Sequence, residues 1–182
     1  MPLTPLRSPK LTRLIEAAKG IQLDVGCSSH KQEGWIGLDR RKLPGVDIVH
    51  DLERLPLPLP ENCCTQILCS HVMEHLNPSL HVDIMDEFWR IMKPGGMLWL
   101  SMPYPGSRGH WQDPTHIKPW SEVTPTYFDP AHPMYQVYCP HPWHIVNNVW
   151  QSTGNIEIRM TAIKETSHAH KNGSAPTRHK NT

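Results

Sequence analysis

The 182 residues, 38% of them hydrophobic, suffice for one α/β domain and are too few for two with separate cores. With 18 Lys+Arg against 17 Asp+Glu there is no global field to draw in nucleic acid, and the 13 histidines change this only below about pH 6.5. The odd set Cys27, Cys63, Cys64, Cys69 and Cys139 lacks C-x-x-C spacing, no apolar run reaches the roughly 18 residues of a membrane span, and the Pro-rich start is no secretory signal. A cytoplasmic protein with free thiols and no membrane partner is expected.

Ser8-Pro9, the run KLTRLIEAAK and Gly20 predict a helix over 8–19, with Ser as N-cap, Pro at the first helical position and Gly past the end. Three strand-length apolar runs follow in quick succession, Ile21–Val25, Trp35–Leu38 and Val46–Val49. Gln66–Val72 reads as a fourth strand. Asn77-Pro78 opens a helix to about Met92 whose Leu80, Ile84, Phe88 and Ile91 share one face, Pro94-Gly95-Gly96 stops it, and Met97–Met102 is a fifth strand. A strand, a four-turn helix and another strand make a right-handed βαβ unit, so the fold class is α/β with an at least partly parallel sheet. Residues 103–142 show no sustained period and read as a long functional loop. Ile156–Ile163 alternates as a strand, with His144–Trp150 as its partner or a short helix. The tail over 166–182 is compositionally disordered, leaving one domain over 1–165.

Candidate chemistry collects at strand ends. LDVGCSSHK is a strand running into a Gly turn, Asp39 ends the second strand, where a carboxylate can accept ribose hydroxyls, and Asp51 ends the third, within reach of an adenine amino group. Three such ends in register place polar groups where open α/β sheets bind ligands. A nicotinamide fingerprint is absent, because Cys27, Ser28, Ser29 and His30 follow Gly26 where G-x-G-x-x-G would continue. Residues 27–34 are also too few for a full crossover helix.

The series LDVGCSSHK, GWIGLDRR, PGVDIVHDLERLPLP, ILCSHVMEHL, FWRIMKPGGMLWLSMPY and QDPTHIKPW resembles a class I methyltransferase of the broad methyltransferase type 11 kind. More narrowly it is similar to bacterial and phage methyltransferases with a G-C-G-x-x-K turn, an S-H-x-x-E-H segment and a Q-D-P-T-H loop. The resemblance spans roughly residues 21–150. It implies a Rossmann-like class I fold, a mostly parallel central sheet with an antiparallel C-terminal strand and a shortened first crossover helix. It also implies S-adenosylmethionine as cofactor. The Gly turn would meet its methionine part through Asp24, Gly26 and Lys31, Asp39 its ribose, and Asp51 with the Leu52 amide its adenine. Ser70 and His71 would border the methyl group. One departure is Ser28, where the pattern has glycine and a side chain would crowd the methionine moiety.

Methyl transfer is an in-line displacement on an activated sulfonium, so alignment can suffice, and a nearby His or Asp can take a proton when the acceptor carries one. The candidates are His71 and the loop set His110, Asp113 and His116. Their H-x-x-D-x-x-H spacing also invites a metal reading, but Pro114 opposes the helix that would align them, and no metal is expected. Glu74-His75 reads as a structural pair at the strand-to-helix corner. Trp89, Trp99, Trp143 and Trp150 read as core, while Trp111 and Trp120 read as walls around an acceptor. The expected acceptor is a small molecule or another unidentified group. The competing reading is a methyltransferase-fold binding or assembly module of little or no activity. A nucleic-acid methyltransferase is disfavoured by the even charge and by CSHVME standing where an N/D-P-P-Y type motif would be.

Overall fold

The computed structural model describes residues 20–165. The helix expected over 8–19 and the tail expected over 166–182 lie outside the described residues. Within them the strands are β1 (Ile21–Val25), β2 (Ile36–Asp39), β3 (Ile48–Val49), β4 (Cys64–Ser70), β5 (Met92–Pro103), β6 (Trp143–Trp150) and β7 (Asn155–Ala162). They form one sheet in the order β3-β2-β1-β4-β5-β7-β6. β1 to β5 pair in parallel, and β7 runs antiparallel to both β5 and β6. The expected α/β fold, mostly parallel with an antiparallel C-terminal strand, is present. No helix among the described residues is long and apolar enough to cross a membrane.

Local chemistry explains where the elements differ from the sequence pattern. β3 is trimmed to Ile48–Val49 because Asp47 turns its carboxylate to the Gly37 amide (2.9 Å) and Lys31 (2.7 Å), and Val46 N closes a turn onto Leu43 O. β5 begins at Met92, since the Pro-Gly-Gly segment is absorbed as a register shift between Met92, paired with Cys64, and Met97, paired with Gln66. The shortened first crossover holds only turns: Gly26 N and Cys27 N both reach Leu38 O, and Gln32 N donates to Asp24 Oδ2 (2.9 Å). Helix α1 (His81–Ile91) follows a 3-10 turn at Pro78–Leu80 whose Ser79 amide is capped by the Asn77 side chain. His144–Trp150 is a strand, resolving the open alternative.

The core lies on the α1 side of the sheet. Ile67 and Cys69 of β4, Leu98, Leu100 and Met102 of β5, and Ile156, Ile158 and Met160 of β7 are paired in register and buried in one cluster with Ile84, Met85, Phe88 and Ile91 of α1. Each such side chain contributes about 1.5–3 kcal/mol on burial. The opposite face is wetter: Gln22 bonds Gln66 (2.8 Å), and the Arg159 guanidinium lies over the Trp99 ring.

The segment after β5 is no plain loop. It holds a short helix, α2 (Arg108–Gln112), and 3-10 turns at Thr124–Tyr127 and Pro133–Val137. Trp120 is a correction to the sequence reading: it is buried, stacks on Phe128 and donates from Nε1 to His81 Nδ1 (3.0 Å), so it is core and no pocket wall. Conversely Trp150, expected in the core, is 56% exposed. All five cysteines are unpaired.

Candidate functional site

The carboxyl ends of β1 and β2, the chain after β3, the corner after β4 and residues 114–117 enclose a cavity of about 600 Å³. Its floor is Val25 and Gly26. Gly26 adopts φ +68°, a conformation that favours glycine, and a Cβ there would overlap Val72 Cγ2. The turn is therefore kept bare by both backbone angle and packing. Asp39, Asp51 and Leu52 line the same space, so the three strand ends singled out in the sequence, at Gly26, Asp39 and Asp51, meet in one cavity.

Asp39 is almost fully buried. Burial pushes its carboxyl up, but the amides of Arg41 and Ser28 and the Arg41 guanidinium outweigh that and hold it below the usual range. Arg41 N (2.8 Å) and Nε (3.3 Å) bind Oδ1, while Ser28 N (2.9 Å) binds Oδ2. Asp51 is less engaged: Oδ1 accepts from Glu53 N at 3.1 Å, and Oδ2 faces Arg54 Nε at 3.8 Å.

Three residues expected at the cofactor stand off the cavity. Asp24 pins the Gln32 amide, and burial raises its carboxyl pKa. Lys31 is ion-paired with Asp47 and packs beside Gly37 and Gly45. Ser70 ends β4 opposite Ser101 and does not line the space. Ser28 does not line it either. Its backbone is at φ +50°, the left-handed region, which explains why glycine suits this turn, and its Oγ accepts from Arg41 Nη2 (3.1 Å).

Across the cavity stand His71, His75, Pro114, Thr115 and Ile117. His71, at φ +55° beyond β4, is half exposed. Its Nδ1 lies 3.3 Å from Glu74 Oε1, and that carboxylate raises the imidazole pKa. The three loop candidates sit one layer behind. His110 is buried, which lowers its pKa, as does neighbouring His116. Asp113 accepts from Thr115 N (2.8 Å) and Oγ1 (2.7 Å), and those bonds hold its carboxyl low. His116 Nδ1 lies 2.9 Å from His110 O, and its Nε2 is 3.9 Å from both Glu74 Oε1 and Asp113 Oδ2. The loop thus reaches the cavity through Pro114, Thr115 and Ile117 rather than through His110, Asp113 or His116. His75, Thr115 and Arg41 were missed as site residues, although the SHVMEHL, DPTH and GLDRR segments contain them.

Residues 31–100 match a family described as "Methyltransferase domain". Among curated proteins none matches the sequence. The structure is similar to that of a 16S rRNA (adenine(1408)-N(1))-methyltransferase from Catenulisporales acidiphilia solved with cosubstrate SAM, at TM-score 0.56 and 15% identity over 90% of this chain and 95% of that one. The fold is that of class I methyltransferases. A SAM-dependent methyltransferase from Archaeoglobus fulgidus superposes at TM-score 0.52 with 18% identity over 84% of this chain and 91% of that one. One from Methanosarcina mazei does so at 0.54 with 15% identity over 89% and 100%. The class I methyltransferase fold thus runs through β1 to β7, and the cavity opens at the carboxyl ends of its parallel strands, where open α/β sheets take ligands.

Proposed function

We propose that this chain binds S-adenosylmethionine in the strand-end cavity and transfers its methyl group to an acceptor entering between His71 and Thr115. The observation that carries the reading is the single cavity shared by Gly26, Asp39, Asp51 and Leu52. The residues fit such a group: the bare Gly26 turn leaves backbone to meet an amino-acid arm, Asp39 faces the space as an acceptor, and Asp51, whose Oδ2 is met among the described residues only by Arg54 Nε at 3.8 Å, can accept from an adenine amine. The volume is ordinary for a small-ligand site. When bound, the sulfonium supplies a methyl already activated for displacement. The chain's own work is then to align two reactants, and His71, at the corner after β4, is a cavity-lining group able to take a proton from the acceptor.

A second reading, a binding module without turnover, is favoured by one observation. Asp39 already holds three hydrogen bonds, two of them from Arg41. Calorimetry with S-adenosylmethionine and S-adenosylhomocysteine separates the two. Binding is expected, weakened by about 1.5–3 kcal/mol, roughly 10- to 150-fold, in Asp39→Ala, as for loss of a charge-assisted hydrogen bond. No heat from folded wild type at millimolar ligand would leave the module reading standing.

A further inference from the structure

Among the described residues the buried carboxylates are well hydrogen-bonded, with one exception. Asp24, Asp39, Glu87 and Asp129 each accept at least one hydrogen bond. Glu74 is 0% exposed, and its carboxylate accepts no well-formed hydrogen bond among the described residues, its nearest charge partner being His71 Nδ1 at 3.3 Å from Oε1. A buried anion held by one half-exposed imidazole is costly, so its surroundings are expected to supply further positive charge.

What faces it is imidazole, and the hydrogen-bond polarity around two of the rings can be worked out. His116 Nδ1 lies 2.9 Å from the His110 carbonyl, which only accepts, so Nδ1 carries a hydrogen, and in the neutral ring Nε2 turns a lone pair toward Glu74 Oε1, 3.9 Å away. Thr115 Oγ1 spends its one hydrogen on the Asp113 carboxylate (2.7 Å), so it can only accept from His75 Nδ1 at 2.9 Å. His75 therefore also holds a hydrogen at Nδ1, and in the neutral ring it keeps a lone pair at Nε2. Outer hydrogen bonds that fix a tautomer in this way are what metal-ligating histidines show. Ligand atoms of Glu74, His75 and His116 lie within 4.8 Å of one another.

We propose that Glu74, His75 and His116 bind one divalent transition-metal ion, zinc(II) by their nitrogen and oxygen ligand set, at the edge of the cavity. Two bonds of about 2.0–2.1 Å span at most about 4 Å, so Glu74 Oε1 and His116 Nε2, 3.9 Å apart, already lie within reach of one ion, and any wider pair within the 4.8 Å closes by less than about an ångström. That corner and loop are already joined by Ile117 N to Glu74 O at 2.7 Å, and a metal there is a second clasp. His75 and Thr115 line the cavity, so the fourth position of a three-ligand site opens toward the acceptor side. The site is distinct from the H-x-x-D-x-x-H set of the sequence, of which only His116 takes part.

The test is metal content of the full chain grown with zinc, measured by plasma mass spectrometry after gel filtration, and cobalt(II) titration of the metal-free protein followed by its visible ligand-field bands. About one zinc per chain is expected, with a melting temperature that falls by several degrees on chelation and recovers on adding zinc. His75→Ala and His116→Ala should each lose the metal and the cobalt bands while staying folded by circular dichroism. His116→Ala should keep S-adenosylhomocysteine affinity within threefold, so failure here does not depend on the methyltransferase reading. Glu74→Gln, isosteric and neutral, guards against a folding artefact and should lose the metal too. Wild type without stoichiometric zinc or cobalt bands overturns the proposal, as does metal retained in both histidine variants.

Discussion

Asp39 holds three hydrogen bonds, and a carboxylate has about four acceptor sites. A ribose offering two hydroxyls finds one place too few while the Arg41 guanidinium stays put. Ser28 keeps it there, because Oγ accepts from Arg41 Nη2, a contact glycine cannot make. The effect of the serine is thus different from that expected of a side chain in the Gly turn: it leaves the cavity clear and instead recruits Arg41 onto Asp39. Arg41→Ala should therefore tighten S-adenosylhomocysteine binding severalfold by calorimetry, and Ser28→Gly should do so to a lesser extent. The double variant should add little to Arg41→Ala, since both act through the same guanidinium. A tenfold loss in Arg41→Ala would show that Arg41 itself grips the ligand.

At the scale of elements, one of the titratable contacts that join α1 to the segment after β5 is the bond between His81 and Trp120. His81, the first residue of α1, accepts from Trp120 Nε1 at Nδ1 and is therefore neutral, with Nε2 3.3 Å from Leu76 O. Burial holds its pKa below the ordinary 6.5. The unfolded chain takes up this proton near pH 6.5 and the folded one only lower, so the contribution is present above 6.5 and is lost as pH falls from there through the folded pKa. Melting temperature should drop across that window, and His81→Gln, whose amide oxygen can still accept from Trp120, should flatten the slope. An unchanged slope would place the acid sensitivity elsewhere. This contact was not legible in the sequence, and the reason is physical. α1 and the strands announce themselves by periods of 3.6 and 2, whereas α2 and the 3-10 turns are too short to show one. A lone Trp in such a stretch looks the same whether it lines a pocket or fills a core. Asp39 and Asp51 were legible because strand ends fix their position. Glu74 and His75 were read as a pair at a corner, but the full burial of the Glu74 carboxylate among imidazoles could be seen only in three dimensions.

For the whole molecule, the question is whether residues 104–142 form a lid over the sheet or a part of its core. The segment leaves β5, where Tyr104 N donates to Gly154 O, and is tied to the corner after β4 through Ile117 N and Glu74 O. It meets α1 through Trp120 and His81, and it reaches β6 where Trp143 N donates to Phe128 O. Buried Asp129 closes this last joint, its carboxylate accepting from Ala131 N (2.9 Å) and Ile145 N (2.8 Å). Ties to four elements make the segment part of the folded unit. Asp129→Ala leaves two backbone donors without their acceptor, which should cost about 1–3 kcal/mol for each one that stays buried and unpaired. In a domain of this size each kcal/mol lowers the melting temperature by roughly 2–4 °C. Because Asp129 does not line the cavity, S-adenosylhomocysteine affinity should stay within threefold of wild type. Limited proteolysis of wild type should cut at the exposed Val137 and Tyr138 and spare the chain around Trp120 and Phe128, where hydrogen exchange should be as slow as in β5. Fast exchange at Ile117 and Ile145, with Asp129→Ala melting like wild type, would mean that the segment opens independently of the sheet.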